Sequence, residues 1–185
     1  MKTGIILFGP PASGKDTITS CLTGLDPHLA PFARLKIGEG RSQGYRMGTT
    51  DQLRHLEAAG DIVYRNDRYN SVYLVDRPGL DAAFADEHVP IVHLGQIAGI
   101  TALTTGYPAV WLTVRLDCPR EVTVQRSTGR GDTDTPARLA AWDATAADLQ
   151  ENPATWDLHL HTDQLTPAEA AAEITKALAA LRQRG

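Results

Sequence analysis

The chain has 185 residues, 42% of them hydrophobic and 22% charged, which suits one domain with a real core and room for a lid or small lobe. Its formal net charge of −4 speaks against a general nucleic-acid binder, which needs a basic surface to meet the phosphate backbone. Two distant cysteines, Cys21 and Cys118, have no metal spacing and read as reduced thiols of a cytoplasmic protein, and no stretch approaches the length of a membrane span.

In chain order, Gly4 to Phe8 predicts a buried first strand that stops at Gly9-Pro10-Pro11, too short for a signal-peptide core. A helix follows from Gly14 or Lys15 to about Leu22, and a second from about Asp51 to Ala59, with Leu53 and Leu56 on one face and Gly60 as its stop. Ile62 to Tyr64 and Ser71 to Val75 are short strands between turn-rich stretches, expected in an inserted lobe. Ile91 to Leu94 and Ala109 to Leu116 resume the central strands. Asp117 is the expected N-cap of the next helix, and Thr135-Pro136 opens another with Leu139, Trp142, Ala146 and Leu149 on one side. Trp156 to His161 is the last strand. Thr166-Pro167-Ala168-Glu169 is a capping box that starts a helix bearing Ile174, Ala177, Leu178 and Leu181. The alternation predicts an α/β fold with a mostly parallel sheet.

The chemistry concentrates first in Gly9-Pro10-Pro11-Ala12-Ser13-Gly14-Lys15-Asp16. It matches G-x-x-x-x-G-K directly after an apolar strand and before a helix. Such a loop curls backbone N–H groups around phosphate, the helix N-terminus adds positive charge, and Lys15 reaches the β- and γ-phosphates. Gly9, Pro10, Pro11, Ala12, Ser13, Gly14, Lys15, Asp16 and Thr17 are therefore the expected nucleotide-binding residues. Asp16 stands where Ser or Thr usually offers a hydroxyl to Mg²⁺; a carboxylate is also a hard oxygen ligand, and it equally favours a helix N-terminus. Arg126 and Arg138 flank the polar stretch Ser127 to Thr135 and Arg130 lies within it; the stretch is expected as a lid whose arginines meet developing negative charge. Simple pairing of these arginines with Asp132 or Asp134 is the competing reading.

Beyond these motifs the sequence resembles the guanylate kinases. Arg126-x-x-x-Arg130-Gly131 and Arg138-Leu139 are similar to that family's lid, Gly38-Glu39 and Gly44-Tyr45 to its G-E…Y segment, and Tyr69 to Tyr73 to its G-N-x-Y-G stretch. The resemblance implies a parallel sheet flanked by helices, a β lobe inserted at about 34–90, a lid at about 127–136, and ATP with Mg²⁺ as cofactors. It implies an acceptor phosphate held by Tyr45 and Tyr73 with Arg34, Lys36 or Arg41. It places Tyr64 where the family reads guanine with an acid, unless a shift of three brings Asp67 there. Val75 replaces a small hydroxyl residue, and Leu94-Gly95-Gln96 replaces the family's I-D-x-Q-G. The loop ending Gly-Lys-Asp also resembles ribose 1,5-bisphosphate phosphokinase. The expected activity is γ-phosphoryl transfer from ATP to a small phosphorylated acceptor, nucleoside monophosphate-like or a sugar phosphate, with GMP a poor one. A true guanylate kinase, a catalytically silent binding module and a nucleic-acid-end kinase are the rivals.

Overall fold

The computed structural model describes residues 2–184 apart from Arg41, Tyr69, Arg130, Asp132 and Thr133, with Asp86 described by its backbone alone. Strand β1 (Thr3–Phe8) leads into helix α1 (Lys15–Leu25), then β2 (Leu29–Pro31), β3 (Arg34–Ile37), β4 (Tyr45–Met47), α2 (Thr50–Ala59), β5 (Ile62–Arg68), β6 (Ser71–Asp76) and α3 (Arg77–Ala83). A short 3₁₀ turn precedes β7 (Val89–Leu94), α4 (Ile97–Gly106), β8 (Val110–Asp117), α5 (Arg120–Gly129), α6 (Thr135–Glu151), β9 (Leu158–His161) and α7 (Pro167–Gln183).

Five strands form one all-parallel sheet in the order β2-β7-β1-β8-β9. The parallel α/β architecture expected from the alternating pattern is thus the observed one. Every residue of β1 is buried, because helices cover both of its faces. Ile5 and Leu7 face Ile18 and Leu22 of α1 and Ile174 and Leu178 of α7. Ile6 and Phe8 face Leu80 at α3 and Ile97, Ile100 and Leu103 of α4. β1 is also the switch point of the sheet: the chain first builds outward to β2 and β7, then crosses to β8 and β9. In open α/β sheets the crevice at the carboxyl ends of the strands beside such a point is where ligands sit.

Between β2 and β7 the chain leaves this sheet and makes a second one of four strands, β4-β3-β6-β5. Leu35, Leu56 and Leu74 form its small core. Helix α2 ends as its sequence expects, on Gly60 in the left-handed region at φ 70°. Strand β5 runs four residues beyond the expected Tyr64, because it pairs with β6 in an antiparallel ladder as far as Arg68. One expected cap is wrong. Asp117 is the last residue of β8, and α5 starts three residues later at Arg120. The carboxylate of Asp117 is engaged by Arg115 and His159 instead.

Asp76 joins two strands of the second sheet and carries the chain into α3, which packs on the first. This buried carboxylate accepts from Arg46 of β4 and also from Gly79 N, at 2.8 Å, as the N-cap of α3. Removing the carboxylate takes away a helix cap and an ion pair whose Arg46 side is 37% exposed and can turn to water. Asp76→Ala is expected to cost about 2 kcal/mol of stability, read as a lower urea midpoint at unchanged m-value.

Candidate functional site

The loop between β1 and α1 has the backbone of an anion nest. Ala12 is left-handed at φ 60° and Gly14 at φ 93°. A Cβ at Gly9 would lie 2.7 Å from Leu116 O and from Ser13 Oγ, so only glycine fits there. Lys15 folds back over the loop, and its Nζ donates to Gly9 O at 2.6 Å, Pro10 O at 2.8 Å and Ser13 Oγ at 3.3 Å. Burial pushes its pKa down from the ordinary lysine value to about 8; Asp16 opposes that shift and Arg34 adds to it.

Asp16 projects from the first turn of α1 with its side chain 88% exposed, and its Oδ1 lies 3.4 Å from His93 Nδ1 on β7. The other ring nitrogen of His93 meets Thr19 Oγ1 at 2.7 Å. Burial holds the His93 pKa below the usual imidazole value, with Lys15 and Arg34 adding to the effect against Asp16, so the ring is neutral at pH 7.

Arg126 and Arg138 have different surroundings. The Arg126 guanidinium donates to Ala12 O at 3.0 Å, Thr162 Oγ1 at 3.3 Å and Thr162 O at 2.6 Å. It therefore ties the phosphate loop to the end of β9 rather than standing on a lid. Arg138 donates to Asp134 at 2.8 Å, the pairing raised as the competing reading. Arg130, like Arg41, lies outside the described residues.

Toward the second sheet the loop faces two adjoining clefts of about 180 and 250 Å³. Lys15, Arg34, Tyr45 and His93 line both. The rings of Tyr45 and Tyr73 stand 5.3 Å apart. Arg34 lies 5.8 and 5.4 Å from their centroids, and Lys36 Nζ lies 5.9 and 5.8 Å from them. Lys36 Nζ also donates to Glu39 O at 2.6 Å.

Asn66 and Arg68 also line the cleft, and the sequence reasoning missed both. They follow Tyr64 at a spacing of two along β5, so the strand period was the signal that pointed to them. His93 and Gln96 were missed as well: His93 belongs to no motif, and Gln96 entered only as part of the Leu94-Gly95-Gln96 departure, with no role at the site. Tyr64 itself is set back from the cleft. Its ring packs in the core beside Gly99 and Leu94, and its hydroxyl donates to Gln96 Oε1 at 3.0 Å, where Asn66 Nδ2 also donates at 3.2 Å. Val75 is fully buried in the same core and does not reach the cleft. Asp67 cannot replace Tyr64, because it is exposed and forked by Arg65. On the other side of the phosphate loop, Ala12, Gly14, Thr17, Arg126, Thr162 and Thr166 border a recess of about 250 Å³.

A family model described as chloramphenicol phosphotransferase-like protein matches residues 65–179. The chain belongs to the chloramphenicol phosphotransferase-like family. That match begins after the phosphate loop, so the loop stands on its own geometry. No curated protein matches the sequence. Among solved structures, guanylate kinase from Anaplasma phagocytophilum aligns with a TM-score of 0.61 at 14% identity, covering 97% of this chain and 85% of that one. A gluconokinase from Sinorhizobium meliloti 1021 aligns at 0.55 and 17% identity, covering 98% and 94%. APE1195 aligns at 0.53 and 14%, covering 97% and 96%. Identities this low carry the fold alone, that of the P-loop kinases; that the chain is a phosphotransferase rests on the family match.

The lysine makes a pH signature. Below pH 8 both the folded and the unfolded chain hold the Lys15 proton, and the fold carries the full cost of burying that charge. Between about 8 and the unfolded value near 10.5 the unfolded chain alone keeps the proton, so folding stability rises with pH. Relative to Lys15→Met, the wild type is expected to gain stability across that window, by at most about 1.4 kcal/mol per pH unit. Denaturant titrations of both proteins at pH 7, 8, 9 and 10 measure it.

Proposed function

We propose that this chain transfers the γ-phosphoryl group of ATP to a small phosphorylated acceptor that carries several negative charges, and that GMP is a poor acceptor. The observation that carries this reading is the cleft of about 180 Å³ in front of Lys15. Arg34, Arg68, Tyr45 and Tyr73 line it together with Lys15, and no carboxylate lines it among the described residues. Paired tyrosines between cations suit a phosphomonoester. A site without an acid lacks the partner that a guanine edge needs, and each charged hydrogen bond forgone costs roughly 1.5–3 kcal/mol.

The roles follow from position. The backbone N–H groups of Ala12 to Asp16 and the Lys15 ammonium hold the donor's β- and γ-phosphates, Pro10 and Pro11 having no N–H to give, and the recess beside Ala12, Arg126 and Thr162 takes its base. Transfer of this kind is mostly positioning and electrostatics. Lys15 neutralises charge on the moving group, and Arg34 and Arg68 aim the acceptor at it. Arg126 holds the loop, while Arg130 and Arg138 remain the lid residues of this reading. Asp16 fits magnesium: it is an exposed hard oxygen beside the nest, and Mg²⁺ takes one or two carboxylates and completes its shell with phosphate and water. The bound ion supplies charge neutralisation across the phosphates.

A second reading is an alcohol acceptor. A neutral His93 in the cleft favours it, because an attacking hydroxyl needs a base within reach. The family name, with an antibiotic as acceptor, points the same way.

Steady-state kinetics with ATP and Mg²⁺ test these readings on GMP, other nucleoside monophosphates, ribose bisphosphates and chloramphenicol. A bisphosphate is expected to give the highest kcat/KM. A lead for GMP makes the chain a guanylate kinase, a lead for chloramphenicol supports the alcohol reading, and no turnover with any acceptor leaves a binding module. Arg34→Ala is expected to raise the KM of the true acceptor by ten- to a hundredfold with the KM for ATP little changed. Lys15→Met is expected to abolish transfer while the fold remains, checked by circular dichroism and turnover.

A further inference from the structure

At the edge of the central sheet, behind the phosphate loop, three metal-ligating side chains converge. Strand β9 reads Leu158-His159-Leu160-His161, so the period of two sends both leucines toward the core and both histidines to the opposite face. The parallel register sets Asp117 of β8 beside His161 and Arg115 beside His159. Asp117 Oδ2 lies 2.6 Å from His159 Nε2, and the two imidazole rings are 4.8 Å apart. One ligand atom from each of Asp117, His159 and His161 can be chosen so that all three lie within 4.8 Å of one another.

We propose that Asp117, His159 and His161 bind a zinc-class divalent transition metal. Ligands on a tetrahedral zinc ion sit roughly 3.3 Å apart, with bonds of about 2.0–2.1 Å. Both histidines are exposed, so small side-chain rotations close the set. Two imidazoles and one carboxylate suit zinc, cobalt or nickel, whereas magnesium takes oxygen ligands and is left to Asp16.

Arg115 forks onto Asp117 at 2.7 and 3.0 Å. It leaves lone pairs on a carboxylate that has about four acceptor sites, and it orients the group as an outer-shell partner does. A cavity of about 540 Å³ lined by Asp117, His161, Asp163 and Gln164 opens beside the cluster, giving a fourth position to water or a further side chain.

The site also adjoins the phosphate loop. Thr162, next to His161, donates its N–H to Asp117 O at 2.9 Å, and its own carbonyl is the acceptor that Arg126 holds together with Ala12 O. A metal here would clamp the ends of β8 and β9 behind the loop.

The test uses the full chain, stripped with EDTA and titrated with Co²⁺ in millimolar Mg²⁺. Visible ligand-field absorption should rise to an end point of one Co²⁺ per chain, and Zn²⁺ should displace it. The His159→Ala/His161→Ala variant should lose that absorption and end point while keeping the circular dichroism spectrum and the magnesium-dependent turnover of the wild type. Zn²⁺ should raise the thermal midpoint of the wild type only. If the wild type takes up no more Co²⁺ or Zn²⁺ than the variant, the cluster is an ion-pair chain of Arg115, Asp117 and His159 and the proposal fails.

Discussion

The guanidinium of Arg126 is the joint on which the working end of this molecule depends. Its planar fork reaches a carbonyl of the phosphate loop on one side and the hydroxyl and carbonyl of Thr162 on the other. Ala12 supplies that loop carbonyl from a left-handed backbone, which costs a non-glycine residue roughly 1–2 kcal/mol. Such a conformation persists where its surroundings over-determine it. Arg126 provides that, because it meets the strained residue directly and anchors it to the last strand of the sheet. A lysine, with one point charge on a flexible stem, would not span both partners in one plane.

Around this joint the site divides along the two sheets. The central sheet provides the nest, Lys15 and Asp16, all within the turn that follows its fully buried middle strand. The small sheet provides Arg34, Lys36, Tyr45, Asn66, Arg68 and Tyr73, from four strands that share a core of only a few leucines. The outer element thus rests on a far smaller core of its own than the central one, and few buried contacts favour local opening. The Asp76–Arg46 pair braces that outer sheet from within, joining β4 to β6, while Tyr64 and Val75 sink into the core of the central one.

Legibility in the sequence followed contiguity. The phosphate loop is eight adjacent residues between a strand and a helix, and the capping box of α7 is four; Thr166 and Glu169 make both of its bonds. The five central strands announce themselves less evenly. β2 escaped because three residues ending in proline give no period, and β3 and β4 escaped for the same shortness. Helix α4 was missed because Ile97 to Gly106 is apolar nearly all round, so no polar face marks a period. The cleft was hardest. Tyr64, Asn66 and Arg68 alternate correctly, yet only Asn66 and Arg68 reach the cleft, and Gln96, some thirty residues downstream, bonds to both Tyr64 and Asn66. Long-range pairings of that kind leave no local trace. The resemblance to guanylate kinases aligned Tyr64 and Val75 with acceptor-reading positions, but packing draws both into the core.

Gln96 has a further property through its neighbour. The backbone N–H of Ile97 donates to Asp148 of α6 at 2.7 Å, and Thr145 of the same helix donates to Gly95 O at 3.3 Å. Three consecutive residues, 95 to 97, are thus held from the small sheet on one side and from the helix behind the polar segment on the other. Residues 95 to 97 are therefore a strap between β5 and α6, and a strain applied at either end loads the other.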